Sequence, residues 1–82
     1  MITNKIINIL SEIRPEFDFT KSQDFNGDGL LDSFDIVTLV SELDEKYSIS
    51  IDGMDIIPEN FKNIETIKDL LKKKGITDET EI

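Results

Sequence analysis

Between Asp24 and Asp35 the chain reads DFNGDGLLDSFD, and two chemistries can be drawn from those residues. Oxygen donors at alternate positions around a glycine turn are what a hard divalent cation requires, and Asp24, Asn26, Asp28 and Gly29 supply the opening of such a calcium loop. Leu31 stands at the apolar eighth position. Asp32 can serve at the ninth and Asp35 at the twelfth, where the shorter side chain reaches an ion less readily than the usual Glu. The second chemistry belongs to Ser33, a hydroxyl displayed where turn residues give way to an apolar helical pattern. The plain alternative for Ser33 is an N-cap, its oxygen accepting a backbone N–H for about 1 kcal/mol.

The elements that must position these residues follow from periodicity. Ile6, Ile7, Leu10 and Ile13 recur at helical spacing behind Thr3 and Asn4, so the pattern predicts a first helix from about Thr3 to Ile13, stopped by Pro15. From Arg14 to Leu31 runs a long connection with no sustained period, in which Phe17, Phe19 and Phe25 are spaced as anchors onto a core. A second helix opens at Ser33 and ends near Tyr47, with Ile36, Val37, Leu39, Val40, Leu43 and Tyr47 as its stripe. SISIDGMDI alternates briefly but has no strand to pair with, and reads as loop. Pro58 suits the first position of a short helical piece from about Pro58 to Lys62. Ile64, Ile67, Leu70 and Leu71 mark the last helix, with Lys72, Lys73 and Lys74 at its dipole-negative end and Gly75 closing it. The expected core is Ile6, Leu10, Val37, Val40, Leu43, Ile64, Ile67 and Leu71. One all-α domain over residues 1–76, with a flexible tail at 77–82, accounts for the whole chain.

Composition narrows what such a domain can do. With no Cys and no His the chain lacks thiolate nucleophiles, imidazole bases and the usual zinc or copper ligands, so a self-contained enzyme is not expected. A formal charge of −9 opposes nucleic acid and anionic membrane surfaces, both of which are bound through Lys and Arg. The acid is also uneven: Asp24, Asp28, Asp32, Asp35, Glu42, Asp44 and Glu45 follow one another with no Lys or Arg among them, a face suited to a basic protein partner. MITNKIINIL is too short and too polar for a signal peptide or a membrane span, and a soluble cytoplasmic monomer is expected.

Context separates the two chemistries. In an EF-hand a helix enters directly at the first ligand, whereas RPEFDFTKSQ carries a proline and no helical stripe. Dockerin modules use similar loops, but in two copies, and this chain holds one. From GLLDSFDIVTLVSELDEKYSISI onward the sequence resembles the acyl carrier and peptidyl carrier family of phosphopantetheine-bearing proteins, and is especially similar in style to standalone D-alanyl carrier proteins. Asp32, Ser33 and Phe34 match the family's D-S-[LIM] signature, with Phe in place of the usual Leu or Met. Val37, Val40, Leu43, Tyr47 and Ile51 fall in the family's register. NIETIKDLL resembles its last helix through Ile64 and Ile67, and PENFKNIETI resembles the longer connection of the D-alanyl type. Thr38 departs from an acid, and Ser41 from an apolar contact, that are common in fatty-acid carriers.

The resemblance implies a four-helix bundle of acyl-carrier type, three main helices plus a short third helix. It further implies a phosphopantetheine arm attached covalently to Ser33, on which an acyl or aminoacyl group is held as a thioester. The protein would then be a carrier and a substrate of other enzymes: a phosphopantetheinyl transferase, an adenylating ligase or acyltransferase that loads the arm, and a downstream acyl-accepting enzyme. Asp32, Phe34, Asp35, Ser41, Asp44 and Glu45 are the residues expected to meet those partners. The competing expectation is a calcium-binding module with an EF-hand or dockerin-like loop using Asp24, Asn26, Asp28, Asp32 and Asp35.

Overall fold

Residues 2–76 are described by a computed structural model, and the tail expected at 77–82 lies outside them. Three α-helices form the frame: α1 over Ile2–Ile13, α2 over Ser33–Tyr47 and α3 over Ile64–Lys73. Short 3-10 turns at Phe19–Lys21, Gly53–Asp55 and Pro58–Phe61 sit in the connections, and there is no strand among the described residues. The fold is therefore a small helical bundle, and the short piece expected after Pro58 is a 3-10 turn that stops at Phe61.

Each helix buries one stripe. On α1 it consists of Ile2, Ile6, Ile9 and Leu10, with Ile7 only half-buried, so the helix is rotated slightly from the face expected of Ile6, Ile7, Leu10 and Ile13. On α2 it is Ile36, Leu39, Val40 and Leu43, and on α3 Ile67, Leu70 and Leu71. Helix α1 packs against both of the others. The long connection closes the core from outside: Phe19 and Phe25 are fully buried edge to face, with ring centroids 5.1 Å apart. Phe61 is fully buried in the same core. Val37, expected in the core, is 59% exposed, because it lies off the Ile36–Leu39–Val40–Leu43 stripe on the outward side of α2. Ile64, expected with it, is only half-buried against the core.

The helix ends explain why the elements stop where they do. Asn63 caps α3 by accepting the Thr66 N–H at 3.0 Å, and the Thr66 hydroxyl accepts the Asn63 N–H at 3.1 Å in return. At the other end Gly75 takes a left-handed φ of 87°, so that its N–H donates to the Lys72 carbonyl and that of Ile76 to the Leu71 carbonyl. Ile76 is buried in consequence. Lys74 reaches Asp55 at 3.0 Å and Asp52 at 3.8 Å, pinning the Gly53–Asp55 turn to the end of α3.

Candidate functional site

The N-terminus of α2 is where the two chemistries meet, and its first turn is built by two carboxylates. Asp32 is the N-cap: its Oδ1 accepts the Asp35 N–H at 2.9 Å, while the Asp32 N–H donates to Asp35 Oδ2 at 3.1 Å. Two helix-start donors are thereby satisfied reciprocally. Ser33 is the first helical residue, and its hydroxyl takes no part in this cap. The expected plain role of Ser33 as an N-cap is thus filled by its neighbour, and Ser33 stands exposed.

Arg14, the chain's only arginine, holds this arrangement from the end of α1. Its Nε donates to Asp35 Oδ2 at 2.9 Å and its guanidinium also lies 3.4 Å from Asp32 Oδ2 and 3.6 Å from Glu16. A hydrogen bond and the charge of Asp35 push the Arg14 pKa upward. The Asp32 carboxyl is held below its ordinary range, first by the Asp35 N–H, with Arg14 and the Phe34 N–H adding to it. Sequence reasoning missed Arg14; its singularity just ahead of Pro15 was the available signal, since only arginine presents a planar fork to two carboxylates at once.

Apolar side chains also lie exposed near Ser33. Phe34 is 83% exposed, Val37 lies beside it, and Met54 and Ile57 face solvent from the segment opposite. Between Ser33, Ile36 and Val37 on one side and Ile56, Ile57 and Pro58 on the other runs a groove of about 200 Å³ with no charged residue in its lining. Large apolar side chains left in contact with water as one contiguous patch mark a contact surface more often than singly scattered ones do. Met54, Ile56 and Ile57 were also not singled out in the sequence, because an apolar residue in a loop carries no period that shows which way it faces.

The residues expected to meet partners divide into two groups. Phe34, Ser41 and Glu45 are exposed along one side of α2. Asp35 is not: it is only 8% exposed and engaged by Arg14 and the Asp32 N–H, so its assignment to recognition is corrected to a structural one. Asp44 is half-buried and accepts the Ile51 N–H at 3.0 Å, which ties down the chain after α2. Asp32 remains exposed while serving as the cap.

The five oxygen donors of the calcium reading are engaged within the fold. Asp24 accepts the Gly27 N–H at 2.9 Å in a side-chain turn, and a Cβ at Gly27 would collide with that carboxylate. Asp28 accepts the Ser22 hydroxyl at 2.6 Å, and the Asn26 amide donates to the Pro58 carbonyl at 3.5 Å. Gly29 supplies the left-handed φ of 77° that the turn needs. With Asp32 and Asp35 engaged in the helix start, no group of three or more acidic, His or Cys side chains converges as a metal site among the described residues. The loop instead docks on the core: the Phe25 N–H donates to the Lys62 carbonyl at 2.7 Å, and Asn63 donates to the Gln23 carbonyl.

No helix among the described residues is long and apolar enough to cross a membrane. Compared with protein-family models, curated proteins and solved structures, the chain matches none.

Proposed function

We propose that this chain is a cytoplasmic carrier protein of acyl-carrier type, holding an acyl or aminoacyl group as a thioester on a phosphopantetheine arm attached to Ser33. The observation that carries the reading is the exposed Ser33 hydroxyl at the first position of α2, relieved of capping by Asp32 and bordered by an apolar groove. A tether needs a reachable oxygen on a rigid mount, and the reciprocal cap with Arg14 behind it provides the rigidity.

The arm contributes the thiol that a chain without cysteine lacks. Ser33 needs no base of its own for attachment. Its oxygen bonds to the phosphorus of coenzyme A that bears pantetheine, the pyrophosphate P–O bond breaks, adenosine bisphosphate leaves, and the serine proton passes to a base on the transferase. The first-turn N–H groups and the positive end of the α2 dipole favour the resulting phosphodiester. Arg14 offsets the two carboxylates that would otherwise oppose it. Phe34, Val37 and Ile57 form the apolar part of a surface for the transferase, the loading ligase or acyltransferase, and the acyl-accepting enzyme, with Ser41 and Glu45 continuing it along α2.

Incubation with coenzyme A, magnesium and a broad-specificity phosphopantetheinyl transferase tests this. The intact mass rises by one arm in the wild type and not in Ser33→Ala; an unchanged wild-type mass, or the same gain in Ser33→Ala, refutes the assignment.

A further inference from the structure

We propose that Arg14 is a positioning residue for the modification of Ser33, an inference that rests on the carrier reading above. Arg14 directly follows α1, its N–H still donating to the Leu10 carbonyl at 2.9 Å, so its stem is anchored to a helix that packs on both others. From there the guanidinium crosses to the start of α2 and engages both members of the reciprocal cap, Asp35 at 2.9 Å and Asp32 at 3.4 Å. Ser33 lies between those two carboxylates in sequence, and its backbone is fixed by the bonds they make.

Two consequences follow for a phosphorylated group arriving at Ser33. The first is geometric: with Asp35 held, the first turn of α2 keeps one conformation, and the Cα–Cβ bond of Ser33 is presented in one direction. The second is electrostatic. Asp32 and Asp35 lie within two residues of Ser33 in the same helix start, and without a cation their charges oppose an incoming pyrophosphate. No Lys or Arg lies between Asp24 and Glu45, so the cation at the helix start comes from Arg14, across the fold. Lysine could supply charge but not the planar pair of contacts.

The test compares wild type, Arg14→Ala, Arg14→Lys and the double variant Arg14→Ala with Asp35→Asn, all at a temperature where circular dichroism shows each fully helical. Two quantities are read: kcat/KM for arm transfer from coenzyme A, and amide exchange at residues 33–36. Arg14→Ala is expected to lose about tenfold in kcat/KM with the carrier as the varied substrate, the scale of a misdirected nucleophile facing an uncompensated charge. Exchange at 33–36 speeds up in the same protein. Arg14→Lys recovers part of the loss, and adding Asp35→Asn, which removes a stranded charge while keeping an acceptor for the cap, recovers part as well. A folded Arg14→Ala protein that takes the arm at the wild-type rate overturns the assignment, and so does a slow one whose exchange at 33–36 is unaltered. A wild-type protein that takes no arm removes instead the Ser33 reading beneath it.

Discussion

The division of labour between Asp32 and Ser33 is the feature on which the site turns. Serine and aspartate are about equally good N-caps, so the sequence D-S before an apolar helix allows either to fill the role. Here Asp35, three residues after Asp32, selects the aspartate, because a carboxylate at that spacing can bond back to the Asp32 N–H. The arrangement has a measurable pH signature. Asp32, and Asp18 at the cap of the Phe19–Lys21 turn, have carboxyl pKa values lowered by backbone and side-chain hydrogen bonds. Such groups stabilise the fold fully above their unfolded value of about 3.9, and the contribution is lost as pH falls through the lower folded value. The urea midpoint should therefore decline below about pH 4, and Asp32→Asn, which keeps a good cap but not the charge, should decline less steeply. An identical acid limb in that variant would place the effect elsewhere. Lys74 carries the opposite sign: held above its ordinary range by Asp55, it contributes below its unfolded pKa and ceases to as pH rises through the folded one.

Helix α2 shows how far periodicity reads and where it stops. Ile36, Val37, Leu39, Val40 and Leu43 together form a broad apolar arc, and spacing does not say which edge of that arc meets the core. Packing settles it: α1 packs against α2 and the Ile36–Leu39–Val40–Leu43 edge is buried, leaving Val37 outward beside Phe34. Leu39→Ala should cost about 2–5 kcal/mol, since it opens a cavity in a fully buried site. Val37→Ala should change stability by less than about 0.5 kcal/mol. Urea melts of the two variants check this, and comparable losses would mean that Val37 is packed after all. The long connection was legible only through its aromatics; its use of Asp24 and Asp28 as turn acceptors was not, because ligand spacing and turn chemistry draw on the same Asp, Asn and Gly. Arg14 and Asp35 are separated by 21 residues, and nothing local to either announces the other.

For the molecule as a whole, the three helices and the position of Ser33 could be read from pattern, while the identity of the outward surface required the fold. That surface combines an apolar patch at the start of α2 with acid farther along, on a chain of net charge −9. On the carrier reading proposed above, such a face would steer basic partners by long-range attraction and release them easily. Glu45 tests the steering better than Asp35 or Asp44, whose hydrogen bonds a reversal would break. Glu45→Lys is expected to slow arm transfer about two- to fivefold at low ionic strength, with the difference vanishing at about 0.5 M salt and the helical content unchanged. A salt-independent deficit, or none, would argue against steering.

The central claim is that one particular hydroxyl carries the arm. It is tested most directly by digesting the transferase-treated protein and locating the added mass by fragmentation. The result expected is a single arm on Ser33, with Ser11, Ser22, Ser41, Ser48 and Ser50 unmodified; an arm on any of those serines, or on no residue at all, would contradict it.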